Sequence, residues 1–139
     1  MIYVIAQFVL LMAIVWPANT LQFSWFGLLL FAISTVIGIF TLITNRPGNF
    51  NIRPHPKETG ELIVDGPYQF IRHPMYSVLL IGALGVLFWQ FSLYKLISWV
   101  LLAIILILKS RKEEAALCIH YKQYQRYREK TNAFIPWVW

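Results

Sequence analysis

"MYSVLLIGALGVLFWQFSLYKLISWVLLAIILIL", residues 75–108, carries one charged side chain, Lys95, and no acid. A helix at the surface of a soluble protein shows a polar face, and here none recurs at helical spacing. Two apolar runs, 75–91 and 94–108, meet at a short polar joint around Ser92. About 20 apolar residues cross a bilayer core, so each run is near the length of a span. A joint this short turns the chain straight back and predicts a tight antiparallel helical hairpin. Further out, residues 24–44 form a third run of spanning length, and residues 1–17 a shorter one that fits a thin or tilted crossing. No Lys or Arg precedes that first run, which therefore reads as a retained helix and not as a cleaved signal. The expected fold class is all-α. It is a polytopic membrane protein of about four transmembrane helices (1–17, 24–44, 75–91, 94–108), with 1–139 as one domain.

Composition agrees. Of 139 residues 58% are hydrophobic and 13% charged, outside the range of ordinary soluble domains. The single cysteine, Cys118, excludes an internal disulfide, and three scattered histidines give no metal-ligand spacing, so no metal is expected. The net charge of +6 does not point to nucleic acid, because the basic residues flank apolar runs and no RNA or DNA motif accompanies them. Membrane lipids are the expected partner. All Lys and Arg residues except Lys95 fall in two polar tracts, 45–74 and 109–139. The positive-inside rule therefore places both tracts and both termini in the cytoplasm of a multi-pass inner-membrane protein. Trp16, Trp25, Trp89 and Tyr94 cluster at the opposite ends of the spans, as an interfacial aromatic belt does. The first tract holds Pro47, Pro54, Pro56, Gly60 and Gly66 and reads as a loop. The second has neither Gly nor Pro between 109 and 133 and is expected to continue the fourth helix out of the membrane.

Two tracts on one side can share one site. In "DGPYQFIRHPMY", residues 65–76, Gly66-Pro67 forces a turn, and Pro74 opens the third helix at its first position. Arg72 and His73 then stand just outside a helix N-terminus, where free amides favour anions. Tyr68, Phe70 and Tyr76 supply ring faces for a base or a cation. The same residues also admit a purely structural role, with Arg72 snorkelling to lipid phosphate and His73 capping the helix. Residue chemistry alone leaves both open.

"ELIVDGPYQFIRHPMYS", residues 61–77, resembles the signature of the isoprenylcysteine carboxyl methyltransferase family, small membrane enzymes that use S-adenosylmethionine. "NIRPHPKETG", 51–60, is similar to a loop in its short bacterial members. The tail resembles the family's C-terminal pattern through Lys109, Glu113, Glu114, Tyr124, Tyr127, Phe134, Ile135 and Pro136. His120-Tyr121 stands where the family has an aromatic-Gly pair, so either Glu113 or Glu114 remains the cofactor-facing acid. The resemblance implies a cofactor site of Gly60, Glu61, Leu62, Ile63, Tyr68, His73, Pro74, Met75, Tyr76, Glu113 and Glu114. Lys109 and Arg72 are the candidate catalytic residues: the resemblance implies that Lys109, standing where the family has an Arg, orients the acceptor, while Arg72 braces the loop or meets an anionic substrate. Lys109 and Glu113 are spaced i,i+4, so a plain surface ion pair is the competing reading. His55 is expected to be structural or solvent-facing.

The expected function is methyl transfer to an amphipathic, lipid-like acceptor, a carboxylate by preference. That preference rests on Lys109, Arg111 and Arg72, cations that orient an anion. A carboxylate is also already ionised at neutral pH, whereas an amine must first lose a proton to a base. The competing expectations are phospholipid amine N-methylation, an NADPH-dependent reductase like the membrane sterol reductases, and a scaffold without catalysis. The sequence pattern sets neither the oligomeric state nor the identity of the acceptor.

Overall fold

A computed structural model describes residues 1–17, 23–45 and 62–136. The chain forms α1 (Ile2–Val15), α2 (Trp25–Thr44), a 3-10 turn (Gly66–Gln69), α3 (Pro74–Trp89), α4 (Leu93–His120) and α5 (Tyr124–Lys130). Among the described residues the protein is all-helical apart from one isolated bridge. Helix starts follow local chemistry. Ser24 caps α2, its Oγ accepting from the Gly27 amide at 3.2 Å, and Pro74 opens α3 where its missing N–H costs nothing. Two helices, α2 and α4, are long and apolar enough to cross a membrane. The apolar part of α4 ends at Leu108. The rest of it, from Lys109 on, carries five charged side chains by Glu114. With 14 and 16 residues, α1 and α3 are shorter apolar helices. At 1.5 Å per residue they reach about 21–24 Å, against a hydrocarbon core of about 30 Å.

The helices alternate in direction. At one end the Tyr3 ring lies under Lys112 Nζ at 4.6 Å, and Thr44 sits against Gly66 at the start of the 3-10 turn. At the other end Trp89 Nε1 donates to the Ser24 carbonyl at 3.0 Å. Residues 62–74 and 109–136 therefore stand at the same end of the bundle.

Packing departs from the expected tight 75–108 hairpin. The α3–α4 turn is short, and Trp99 Nε1 donates to the Leu80 carbonyl at 2.9 Å. Yet α3 packs chiefly on α2, and α4 chiefly on α1. Side-chain size explains this. The buried residues of α2 are Gly27, Ser34, Gly38 and Thr41, one stripe of small side chains that lets α3 come close. A Cβ built on Gly27 would lie 2.8 Å from the Gly85 carbonyl oxygen, and one on Gly85 would lie 2.9 Å from the Gly27 carbonyl oxygen. Between α1 and α4 the fill is large instead, with Ile14, Leu102 and Leu106 fully buried.

The tail also departs from expectation. α4 does continue past the apolar run, but it stops at His120, and Tyr121 takes an extended conformation (φ −115°, ψ 113°). One straight helix to 133 would carry Tyr124 into solvent. The break folds α5 back, buries Tyr124 to 1% exposure, and brings the following segment against residues 71–73. There Ile71 and Asn132 form a parallel bridge, with Arg72 N donating to Asn132 O at 2.8 Å and His73 N to Ala133 O at 3.0 Å.

Candidate functional site

The bridge fixes Arg72 and His73 against the tail, and α4 passes behind them. Arg72 Nε donates to Glu114 Oε1 at 2.7 Å, across 42 positions of sequence. Its Nη1 donates to the Arg128 carbonyl at 3.1 Å and to that of Thr131. The geometry gives this guanidinium a bracing role, since three acceptors on two elements hold it. Glu114 also takes His73 Nε2 at 3.1 Å on Oε1 and Arg128 Nε at 3.3 Å on Oε2. Burial alone would raise the Glu114 carboxyl. The hydrogen bonds from His73 and Arg72 and the Arg72 charge outweigh that and hold it at about 2. Glu114 is thus an ionised carboxylate held by three side chains of the protein.

Glu113 is placed differently. Its Oε1 accepts the Tyr76 hydroxyl at 2.6 Å, and its Oε2 lies 3.7 Å from His73 Nδ1. His73 stands between the two carboxylates with its ring stacked on Tyr76, centroids 5.3 Å apart and planes within 6°. Phe134 continues that array, 6.1 Å from the Tyr76 ring. The side chain of Glu113 keeps 17% exposure, against 9% for Glu114, and Glu113 has one hydrogen-bond donor where Glu114 is met by two guanidinium groups and an imidazole. Glu113 is the carboxylate with capacity left for a ligand. Tyr68 packs nearby, its hydroxyl pushed up to about 12 by burial and then by the Glu113 charge, while its carbonyl accepts from Tyr127 Oη at 2.6 Å.

Lys109 makes no ion pair with Glu113, so the i,i+4 surface pair does not form. Its Nζ donates to Gln7 Oε1 at 3.1 Å and lies 5.0 Å from the Tyr76 ring centroid. Pro74 is buried at the start of α3, and Met75, Leu62 and Ile63 are half-buried around the assembly. Gly60 and Glu61 lie outside the described residues, as do His55 and the loop prolines.

Three participants were absent from the sequence reading. Arg128 closes the third side of Glu114, and only the fold of the tail brings it there. Ser77, whose Oγ donates to the Phe134 carbonyl at 2.6 Å, ties α3 to the tail. Gln7, buried on α1, had a readable signal: an amide in an otherwise apolar run. Beside Glu114 opens a cleft of about 150 Å³ lined by Arg72, Ser110, Arg111, Glu114, Arg128 and Ala133. The Tyr124 hydroxyl is buried with no hydrogen-bond partner among the described residues.

The arrangement offers a stacked ring array, a carboxylate with spare acceptor capacity, a buried ammonium and a cleft rich in guanidinium. Those features suit a cationic, partly aromatic ligand beside an anionic one. The sequence profile of the phospholipid methyltransferase family matches residues 22–124. Two curated rice proteins, from Oryza sativa subsp. indica and subsp. japonica, are each named "Probable protein-S-isoprenylcysteine O-methyltransferase". Each is 31% identical to this chain over 121 residues, 83% of this chain and 62% of the relative. The chain thus spans about three fifths of the length of the curated relatives it matches. No solved structure matches.

Proposed function

The chain belongs to the phospholipid methyltransferase family, and from that premise we propose that it is an integral-membrane methyltransferase using S-adenosylmethionine on a lipid-like acceptor, a carboxylate by preference. The observation that carries this reading is the continuous contact Arg72–Glu114–His73–Glu113–Tyr76, which joins the two signature blocks across 37 to 42 positions of sequence. Neither block needs the other for helix formation. Their closure on one another is what a shared ligand site requires.

The residues present fit that cofactor. Glu113 has acceptor capacity for an ammonium or a ribose hydroxyl, and the stacked rings of Tyr76, His73 and Phe134 form an aromatic wall beside it. When bound, S-adenosylmethionine supplies a methyl group on a sulfonium centre that is itself an excellent leaving group. The protein's work is then alignment, exclusion of water and placement of charge. In this reading Arg72 and Glu114 hold the loop rigid, His73 and Tyr76 position Glu113, and Lys109 faces the acceptor. The surplus of guanidinium in the cleft suits an acidic group of either ligand.

The same reading gives four spans, with both termini and the site in the cytoplasm of a multi-pass inner-membrane protein. α1 and α3 cross tilted or in a locally thinned bilayer. Outward-facing Ile2, Ile5, Phe8 and Met12 on α1 and Phe26, Val36 and Ile43 on α2 support this, since lipid covers such a surface. The family's own title favours a second reading, N-methylation of a phospholipid amine. Purified protein is incubated with methyl-labelled S-adenosylmethionine and either a farnesylcysteine or phosphatidylethanolamine. Label released by base as methanol supports the carboxylate; base-stable label on the headgroup amine overturns it. A titration that finds NADPH bound and S-adenosylmethionine not bound rejects the methyltransferase reading altogether.

A further inference from the structure

α1 lies outside the segment that the family profile matches, yet it reaches the site. Its sequence, IYVIAQFVLLMAIV, contains one amide and no charge. That amide, Gln7, is buried, and its Oε1 accepts from Lys109 Nζ at 3.1 Å. Lys109 is itself buried to 5% exposure. One turn nearer the charged end, the Tyr3 ring meets Lys112 in the same way that the Tyr76 ring meets Lys109. α1 therefore contacts the cations of α4 twice, in antiparallel register.

An ammonium in an apolar setting is costly unless something replaces its water. Here the replacements are an amide oxygen and the face of a ring, both neutral. Glu113 is the nearest acid on the same helix, but it turns one oxygen to the Tyr76 hydroxyl and closes no ion pair with Lys109. Neutral groups solvate a cation without cancelling its charge. A carboxylate at position 7 would hold the ammonium more tightly and leave it unable to attract a second anion. The choice of an amide thus keeps the positive charge available.

We propose that Gln7 is a positioning residue and specificity determinant, which holds the Lys109 ammonium against the Tyr76 ring as an uncancelled cation for the negatively charged headgroup of the acceptor. This rests on the reading of Lys109 as the residue that faces an anionic acceptor, and two independent measurements separate the two.

The first uses the purified full chain in detergent, with N-acetyl-S-farnesylcysteine as the carboxylate-headed probe. Gln7→Glu raises the KM for the probe tenfold or more, and Gln7→Leu raises it several-fold, while the affinity for S-adenosylmethionine stays within twofold of the parent. A Gln7 that only packs α1 against α4 gives the opposite. The added ion pair of Gln7→Glu then preserves or raises thermal stability with KM unchanged, which overturns the proposal. The second measurement needs no methyl transfer. Labelling of Lys109 by an amine-reactive ester at neutral pH, read by mass spectrometry against exposed Lys122, rises several-fold in Gln7→Leu and falls in Gln7→Glu. Labelling within twofold of the parent in both variants overturns the proposal even if the enzyme is active. If labelling responds while the parent never methylates the probe, the positioning role stands and the carboxylate acceptor falls.

Discussion

Replacing Glu114 by Gln removes the carboxylate that Arg72, His73 and Arg128 share, with little change of volume. Arg72 loses its 2.7 Å ion pair but keeps the Arg128 and Thr131 carbonyls, so the guanidinium is not stranded. Two routes give the magnitude. Breaking one partner out of a buried ion pair costs about 3–5 kcal/mol, and the surviving carbonyl bonds put this case at the lower end. Independently, the carboxyl is lowered from 4.5 to about 2. At 1.36 kcal/mol per pH unit that corresponds to about 3 kcal/mol. The sign follows from linkage. A depressed carboxyl stabilises the folded state fully above its unfolded value, near 4.5, and that stabilisation is lost as pH falls through about 2. Thermal unfolding in detergent micelles reads both effects. At pH 7 the variant should melt lower by roughly 10 °C for a domain of this size. Between pH 5 and 2 the parent should lose its advantage while the variant changes less. A variant melting within about 2 °C of the parent at pH 7, or parallel acid profiles, would refute the idea that Glu114 braces the loop to the tail.

Three further outcomes follow from the same geometry. Glu113→Gln should leave the fold intact, yet weaken S-adenosylmethionine binding by roughly 1–3 kcal/mol in a calorimetric titration, the scale of a charge-assisted hydrogen bond; unchanged affinity would return Glu113 to a structural role. Gly27→Ala sets a Cβ against the Gly85 carbonyl oxygen, which is backbone and cannot rotate away, so the variant should lose about 1–3 kcal/mol in detergent unfolding. Gly38→Ala, which meets only the Val78 side chain at 3.3 Å, should lose less, and equal losses would count against the close α2–α3 approach. Reporter fusions at Ser92 and at the C-terminus should report opposite sides of the membrane; signals from one side would end the four-span topology.

Much was legible without coordinates because lipid imposes a strong rule. In an apolar solvent each segment must satisfy its own backbone, so runs such as 24–44 and 94–108 can only be helices. Pro74 likewise had to open a helix, and α3 begins there. The two charged tracts, carrying all Lys and Arg but one, were readable as one side, and the described parts of both meet at one end of the bundle. Residue spacing could not tell which of two adjacent carboxylates does what. Glu113 and Glu114 are neighbours on one helix, and their different fates follow from what lies against each face: Tyr76 on one, Arg72 and Arg128 on the other. Those partners are 37, 42 and 14 positions away, and no local pattern encodes such distances. The break at Tyr121 belongs to the same class, since residues 109–133 contain no Gly or Pro to announce it. It exists because burying Tyr124 and pairing 132–133 with 71–73 outweighs continuing a solvated helix. Pairing of α3 with α2, in preference to its hairpin neighbour α4, is decided by small side chains of α2 meeting the glycines of α3, Ser34 against Gly82 and Gly27 against Gly85. Local sequence sets which segments are helices; the contacts between segments distant in sequence decide which carboxylate is braced by two arginines and which meets the Tyr76 hydroxyl.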